Sequence, residues 1–425
     1  MQHIIEASNR DRAAAHRSDY ERLGEQLAQH KVDIEEVVAQ AAAFEVAVPS
    51  WGLGTGGTRF GRFPGRGEPR DVYEKVEDAA VVHRLTTVTP RLSLHVPWDE
   101  PENAPALRAH AAELGLGFDA VNSNTFQDQP NQALSYKFGA LGHVDADVRR
   151  QAVGHILHVM EVGKALGSDA ITIWLVDGGN YPGQIHLRKS FERVRDGLAE
   201  AYADMPEGWT MLIEHKPFEP AFYATVVADW GSSLMLAQAL GERAACLVDL
   251  GHHLPKTNVE QVVARLVAAG KLGGLHFNDS KYGDDDLTAG SIKPYQLFLV
   301  FNELVDAVRD GALEQPPAYM IDQSHNLKDP IEALLQTVNN LQKAFVRAVL
   351  VRRDALTYYQ QENDVLMAEE TLKSAFEMDV AALVAEVRRR RGGAIDPIAA
   401  FRASGYRADK TAERAAAEYA PPQSL

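Results

Sequence analysis

The sequence is poor in cysteine and in long apolar segments. Its single cysteine, Cys246, excludes an intrachain disulfide bond, which is typical of a protein from a reducing compartment. Because Cys246 lies within the apolar run AACLVDL, it is predicted to be buried packing rather than a nucleophile. No run of about 18 apolar residues occurs, and the N-terminus MQHIIEASNRDR lacks the pattern of a secretory signal. We therefore expect a cytoplasmic protein with no membrane partner.

Positive charge is also scarce. The 425 residues include 43 Lys and Arg against 59 Asp and Glu, a formal net charge of −16. Nucleic acids and anionic membranes require a positive protein surface, so neither is an expected partner, whereas a neutral substrate and a divalent cation are compatible. The basic run at 388–391 precedes two glycines. This arrangement is typical of a helix end whose cations face the negative end of the helix dipole, rather than of a nucleic-acid site.

The chain contains eight short β-type apolar runs, most of them separated by amphipathic segments of helical length. Strands that alternate with helices in this way predict a (β/α)8 TIM barrel over residues 44–345. The eight runs are Phe44–Trp51, Leu92–Pro97, Gly117–Ser123, Asp169–Leu175, Trp209–Lys216, Ala244–Gly251, Leu272–Asn278 and Ala318–Gln323.

Helical patterns flank the predicted barrel. Residues 1–43 predict an N-terminal helical segment, and residues 346–425 predict a C-terminal helical extension with a tail. Within the extension, Val365–Arg391 is expected to form one long helix, and the chain from about residue 408 is expected to be frayed.

A glycine-rich segment, residues 52–65, formally contains GxGxxG directly after a strand. A dinucleotide site requires a helix to begin there, but Pro64 and Gly65 would break one. We interpret the segment as a loop whose Arg59, Phe60 and Phe63 could cover a site or a neighbour.

Polar side chains follow each of the last four predicted strands, where a barrel gathers its chemistry. These strand ends carry Glu214, Asp249, His276 and Asp322. Without a cation, so much negative charge on one arc of the rim would be strongly self-repelling. Three carboxylates and one imidazole suit Mn²⁺, Mg²⁺ or Co²⁺ better than zinc. The sequence therefore predicts a metal site.

A second group of possible ligands lies on two adjacent loops and consists of His252, Asp284 and Asp286. In an extended loop Asp284 and Asp286 point the same way, while Asp285 points away. A solvated acidic turn is the alternative interpretation of this run. Lys216 lies on the same side of its strand as Glu214. It could donate to a substrate oxygen or only neutralise surplus carboxylate.

The chain contains several long motifs in a fixed order: AVPSWGLGTGGTRF, LHVPWD, GFDAVNSNTF, EHKPFEPAFY, CLVDLGHH, LHFNDSKYGDDD and MIDQSHN. These motifs resemble those of the L-rhamnose isomerases, specifically the bacterial broad-specificity branch of the xylose-isomerase-like barrels, and the likeness runs from about residue 10 to 408. The resemblance implies two divalent cations per subunit, usually Mn²⁺, and a homotetramer. It also implies conversion of L-rhamnose to L-rhamnulose and activity on D-allose and D-psicose.

The resemblance also implies roles for individual residues. The first cation would be held by Glu214, Asp249, His276 and Asp322, and the second by His252, Asp284 and Asp286, with Asp249 or Glu214 as a possible bridge. Substrate contacts would come from Trp51, Phe60, His95, Phe126, Trp174, Lys216, His252 and Asp322, with Phe60 contributed by the adjacent subunit. The catalytic set would be Lys216, Asp284, His95 and Asp322.

For such an isomerase we expect a direct hydride shift between C2 and C1 of the open-chain sugar. Lys216 would donate to O1, a water near Asp284 and Asp286 would move the proton between O2 and O1, and His95 would assist ring opening or orient the hydroxyl near C5. An enediol route with a carboxylate base is the competing mechanism.

Three other functions could use the same barrel. A ketose 3-epimerase normally places two glutamates about one metal, whereas strand eight here ends in Asp322 rather than Glu. A metal-dependent endonuclease should carry a basic groove, which a net charge of −16 disfavours. A non-catalytic sugar-binding barrel would have no reason to keep two groups of metal ligands.

Overall fold

The computed structural model describes residues 1–54, 65–129, 132–175, 177–219, 221–324 and 327–414. Within these ranges, eight parallel strands pair in chain order, and a parallel bridge between Ala47 and Met320 joins the last strand to the first. The (β/α)8 barrel predicted from the sequence is therefore confirmed. The strands are β1 Val48–Pro49, β2 Arg91–Ser93 with His95–Val96, β3 Gly117–Phe118 with Val121–Ser123, β4 Ala170–Trp174, β5 Thr210–Glu214, β6 Ala244–Asp249, β7 Leu272–Phe277 and β8 Ala318–Ile321. A two-stranded antiparallel ribbon, Gly178–Gly179 with Ala224–Thr225, links the loops after β4 and β5.

One long helix follows each barrel strand, and further helices flank the barrel. The N-terminal pair is α1 Gln2–Gln29 and α2 Ile34–Ala42; the barrel helices are α3 Val72–Thr86, α4 Ala104–Glu113, α5 Ala146–Leu166, α6 Leu187–Ala203, α7 Trp230–Leu240, α8 Val259–Ala268, α9 Pro294–Arg309 and α10 Pro330–Val349; the C-terminal set is α11 Arg353–Gln361, α12 Val365–Phe376, α13 Ala381–Arg390, α14 Pro397–Ser404 and α15 Tyr406–Glu413. No helix of the described part is long and apolar enough to cross a membrane. The division at residues 43 and 345 stays a prediction.

The barrel helices begin where the sequence offers a side-chain cap. Asp71, Asn103 and Asp229, for example, each accept a hydrogen bond from a backbone N–H in the first turn of α3, α4 and α7. Such caps satisfy donors that have no partner within the helix. Helix α5 ends at Gly167, whose φ of 85° is the left-handed conformation that glycine adopts without steric cost. These local signals fix where each strand-to-helix loop ends.

The interior of the barrel is apolar at its N-terminal end and polar at its C-terminal end. Ala47, Ala120, Leu212, Leu247 and Met320 form a small buried cluster inside the barrel. The outward faces of the strands pack against the helices in the main core, which includes Cys246, as predicted for that cysteine. The buried acids and histidines at the C-terminal strand ends are thus held on a rigid apolar base.

Two predictions for the C-terminal extension are wrong. The expected helix Val365–Arg391 is two helices, because the Asp379 side chain accepts a hydrogen bond from the backbone N–H of Ala381 and starts α13 anew. The chain from about residue 408 is not frayed as far as Arg414, since α15 continues to Glu413 and the Arg414 side chain is buried. The predicted helix end at the run of arginines is confirmed, with Arg388, Arg389 and Arg390 in the last turn of α13.

Two glycines of α5 allow a matched test of this packing. An added Cβ at Gly163 would lie 2.7 Å from Val121 Cγ2 and 2.8 Å from Trp209 Cη2, whereas one at Gly154 would meet nothing within 4 Å. We expect G163A to lower the free energy of unfolding by about 1–3 kcal/mol through overpacking. We expect G154A to raise it by about 0.5–1 kcal/mol, since alanine loses less backbone entropy on folding. Urea denaturation of both variants tests the pair, and equal effects would contradict the packing.

Candidate active site

A group of four ligand-type side chains lies at the ends of β5 to β8. The register pairs Asp249 with His276, so both side chains point to the same side of the sheet. His276 Nδ1 lies 3.2 Å from Glu214 Oε1, 3.7 Å from Asp249 Oδ2 and 3.5 Å from Asp322 Oδ2. Glu214, Asp249 and His276 are buried, and Asp322 is half-buried. The structure thus brings together all four residues predicted for the first cation.

A second group adjoins the first. Asp249, His252 and Asp284 place ligand atoms within 4.8 Å of one another, so Asp249 belongs to both groups. His252 Nε2 lies 3.0 Å from Asp284 Oδ2, and His252 Nδ1 lies 3.1 Å from Glu214 Oε1. Asp286, predicted as a third ligand, is buried and lines the same cleft but does not fall within that 4.8 Å group.

The electrostatics of the two groups favour a cation. Burial raises the pKa of Asp249 to about 7, with Asp322 and Glu214 adding to the rise and His252 opposing it. Burial by itself would lower the pKa of His276, but the charge of Glu214 outweighs it and raises that pKa to about 9. Burial would likewise raise the pKa of Glu214, but His276 and His252 hold it below its usual range. Protons bound by Asp249 and His276 thus offset part of the negative charge that the carboxylates concentrate at this site.

The donor set fits hard divalent cations. Carboxylate oxygens outnumber imidazoles in both groups taken together, and no thiol is present since Cys246 belongs to the apolar core. Mn²⁺, Mg²⁺ and Co²⁺ accept such mixed oxygen and nitrogen sites, whereas structural zinc sites favour thiolates. The residues present therefore fit the two divalent cations expected from the sequence.

Asp249 is held by partners that the sequence analysis did not single out as part of the site. Asn278 Nδ2 donates to Asp249 Oδ1 at 2.9 Å and to Oδ2 at 3.0 Å, and the backbone N–H of Gly251 donates to Oδ1 at 2.7 Å. Outer hydrogen bonds of this kind fix the orientation of a metal-binding carboxylate. The available signal was the position of Asn278, which is two residues beyond His276 and so on the same side of the chain.

Lys216 lies inside the cleft rather than on the surface. Its Nζ is 2.5 Å from Asp284 Oδ2 and 3.1 Å from Glu219 Oε2, and it sits 4.8 Å from the centre of the Trp174 ring. The side chain is 1% exposed. The structure is therefore compatible with both roles predicted for Lys216. Its ammonium pairs with nearby carboxylates, and it lies in the cleft, where it could donate to a substrate oxygen.

An aromatic wall faces the two groups, and we define it as Trp51, His95, Trp98, Phe126 and Trp174, all of which line the cleft. The His95 ring stacks on Trp98 with centroids 4.2 Å apart, and Phe126 meets Trp174 edge-on at 4.3 Å. Trp51 Nε1 donates to Asp322 Oδ1 at 2.7 Å, which joins the wall to the first group. Burial lowers the pKa of His95 to about 3, so its imidazole is neutral at pH 7.

Two further outcomes concern the residues that line the cleft. Phe60, predicted to reach a neighbouring subunit, lies outside the described residues, as do Arg59 and Phe63 of the same loop. Asn122 and Ser324 also line the cleft, although the sequence predicts no role for them beyond their positions at the ends of strands three and eight. Nothing in their local pattern distinguishes them from ordinary polar strand ends.

Comparison with known proteins agrees with this geometry. The family model described as xylose isomerase-like TIM barrel matches residues 82–309, just over half of the chain. A probable sugar isomerase of Rhizobium meliloti (strain 1021) is 56% identical over 97% of this chain and 96% of that protein, and one of Mesorhizobium japonicum is 54% identical over the same shares. The solved structure of an L-ribulose 3-epimerase resembles the fold with a TM-score of 0.53 at 15% identity, covering 73% of this chain and 98% of that one. The chain belongs to the xylose isomerase-like TIM-barrel family.

Proposed function

We propose that the protein is an aldose–ketose isomerase that converts L-rhamnose to L-rhamnulose and also interconverts D-allose and D-psicose. The observation that carries the proposal is the pair of ligand groups that share Asp249 and face an aromatic wall. The names of the relatives from Rhizobium and Mesorhizobium support sugar isomerisation in general terms. The motifs that resemble L-rhamnose isomerases support the choice of sugar.

Two divalent cations, when bound, hold neighbouring oxygens of the open-chain sugar and polarise its carbonyl group. We propose Mn²⁺ for both, with Co²⁺ or Mg²⁺ as possible replacements. Glu214, Asp249, His276 and Asp322 would hold one cation, and His252, Asp284 and Asp286 the other, with Asp249 placed to serve both.

The chain's own groups would then direct the hydrogen transfer. Lys216 donates a hydrogen bond to sugar O1, because its buried Nζ is the ammonium that lines the cleft beside the acids. The hydrogen on C2 moves with its electron pair to C1, and the proton on O2 passes to O1 beside Asp284. Asp322 contributes by holding the first cation while its Oδ1 accepts the Trp51 hydrogen bond. His95, whose burial keeps it neutral, would form a hydrogen bond with the sugar and so assist ring opening or orient the hydroxyl near C5.

The aromatic wall supports a sugar with an apolar end. Aromatic faces offer large contact area to C–H groups, and one such contact in a binding site is worth roughly 1–3 kcal/mol in specificity. The edge-on contact of Phe126 with Trp174 leaves ring surface directed into the cleft. We propose that the methyl group of a 6-deoxy sugar packs on this wall.

The decisive experiment uses protein stripped with EDTA and reloaded with Mn²⁺, incubated separately with L-rhamnose, D-allose and D-ribulose. We expect L-rhamnulose from L-rhamnose and D-psicose from D-allose, both only after metal is restored. Chromatography identifies the products. No product from any sugar despite two bound cations would refute the proposed function.

The D-ribulose incubation addresses ketose 3-epimerisation, the second candidate. The fold likeness to an L-ribulose 3-epimerase favours it, but that likeness concerns the fold alone. The presence of Asp322 where an epimerase would normally place glutamate counts against it. A 3-epimer as the main product would replace our proposal with this one.

The route of the hydrogen has its own test. With L-rhamnose deuterated at C2, a direct shift keeps the label in the product, because the deuterium is never transferred to a base that could exchange it with water. We expect more than about 90% retention by mass spectrometry, since the hydrogen moves from C2 to C1 without leaving the sugar. Loss of most of the label to water would favour the enediol route.

A homotetramer remains part of the proposal. We expect a sedimenting mass near four times the 46.7 kDa of the chain. If the Phe60 side chain contributes to the site of a neighbouring subunit, the substitution F60A should raise the KM for the sugar.

A further inference from the structure

A buried ion pair lies behind the aromatic wall and takes no part in the two ligand groups. Lys75 Nζ of α3 lies 2.5 Å from Asp99 Oδ1 in the segment after β2. The two side chains are 7% and 1% exposed. Neither residue lines the cleft. A buried ion pair is costly to desolvate and is often no more stable than an apolar replacement, so its presence calls for a role other than stability.

The Asp99 carboxylate contacts the ends of two barrel strands. Its Oδ2 accepts a hydrogen bond from Ser50 Oγ at 2.5 Å and from the backbone N–H of His95 at 3.1 Å. The backbone N–H of Asp99 donates to the carbonyl of His95 at 2.8 Å. Asp99 therefore binds both the backbone N–H and the backbone carbonyl of His95. It also binds Ser50, the residue that precedes Trp51.

Both held residues belong to the aromatic wall. The rings of Trp51 and His95 meet at 86° with centroids 5.7 Å apart, and His95 stacks on Trp98. Trp51 in turn donates to Asp322 of the first ligand group. A continuous set of contacts thus runs from helix α3, through Asp99, to the wall and the candidate metal centre.

We propose that Lys75 and Asp99 are positioning residues, which fix Trp51 and His95 at the distance from the metal centre that a bound sugar requires. The proposal rests on the proposed sugar-isomerase function. Lys75 anchors the carboxylate, and the carboxylate sets the two strand ends. Misplacement of such groups by about 1 Å is enough to cost roughly 100-fold in rate.

The test compares D99N and S50A with a matched control, E386Q. Glu386 forms a buried pair with His16 at 2.7 Å between α1 and α13, so E386Q removes the charge of a buried carboxylate outside the cleft lining. For each protein we would measure bound Mn²⁺, kcat and KM for the sugar that wild type converts, and amide hydrogen exchange over residues 46–53 and 93–100. For D99N we expect kcat/KM to fall about 10–100-fold, mostly through KM, with metal content unchanged.

S50A removes one hydrogen bond to the Asp99 carboxylate and keeps the ion pair, so it should fold even if D99N does not. Its KM should rise about threefold to fivefold. Exchange should become faster over both segments in either variant, and E386Q should match wild type in KM and in exchange there. An unchanged KM in folded, metal-loaded S50A and D99N would overturn the proposal, even if exchange became faster. If wild type converts none of the sugars, the proposed function fails. Hydrogen exchange measured without sugar then tests the positioning role separately, and unchanged exchange at both strand ends in D99N and S50A would overturn that role.

Discussion

Replacing Asp249 by asparagine is expected to lower kcat/KM by about 1,000-fold or more and to reduce the bound divalent cations from two per chain to one or none. Asp249 is the residue common to both ligand groups of the described chain, so its loss weakens both. An asparagine amide offers one neutral acceptor where the carboxylate offers two charged ones. Loss of one preorganised group at a reacting centre costs about 100- to 1,000-fold, and the loss here should reach or exceed the upper figure because both ligand groups lose Asp249. Turnover of L-rhamnose and metal content after dialysis provide the measurements.

The matched control is D285N. Asp285 lies beside Asp284 in the chain, but its carboxylate accepts hydrogen bonds from the backbone N–H groups of Lys281 and Tyr282. It falls in neither ligand group. D285N therefore removes one negative charge from the same loop without touching a proposed ligand, and we expect two bound cations and activity within about threefold of wild type. D249N with full metal content and ordinary turnover would refute the shared site.

The barrel and much of the candidate site were predictable because both follow from local patterns. Each strand is a short apolar run, and a ligand at a strand end sits at a known place in a barrel. Four successive runs ending in an acid or a histidine therefore predicted the convergence of Glu214, Asp249, His276 and Asp322. The second group was predictable for the same reason, since His252 and Asp284 lie on the loops directly after two of those strands.

Other features depend on pairs that no local pattern reveals. Lys75 and Asp99 meet across 24 residues, and each alone looks like an ordinary charged surface residue. Asn278 was visible as a strand-end residue, but its hydrogen bonds to Asp249 depend on the register between β6 and β7. The break between α12 and α13 depends on one side-chain hydrogen bond of Asp379, which competes with a helical pattern that continues on both sides.

Arg414 is the extreme case of a long-range pair, and it carries the second large prediction. Its Nη2 lies 2.9 Å from Asp78 Oδ1 and its Nη1 lies 3.1 Å from Asp78 Oδ2, although the two residues are 336 positions apart. Both side chains are 0% exposed. Arg414 Nη1 also donates to the carbonyl of Gly67 at 3.0 Å. The C-terminal end of the described chain is thereby fastened to α3 and to the segment before it.

We expect R414A to lower the free energy of unfolding by about 3–5 kcal/mol, because it removes the cation in direct contact with the buried Asp78 carboxylate and leaves only Arg407, whose Nη1 lies 4.0 Å from Asp78 Oδ2. Tyr406 Oη still donates to Asp78 Oδ1 at 2.6 Å, which compensates only in part. Urea denaturation of metal-free protein, followed by circular dichroism, gives the measurement, since bound metal would add its own stabilisation.

Two comparisons separate this pair from ordinary surface charge. Arg150 forms an exposed pair with Asp147 on α5, and R150A should cost no more than about 1 kcal/mol. Adding D78N to R414A removes the stranded charge, so the double variant should regain part of the loss. If R414A unfolds no more easily than R150A, the C-terminal helices do not support α3 through this contact. If the predicted loss is found, the helix that carries Lys75 is also stabilised by a residue that lies more than 300 positions later in the chain.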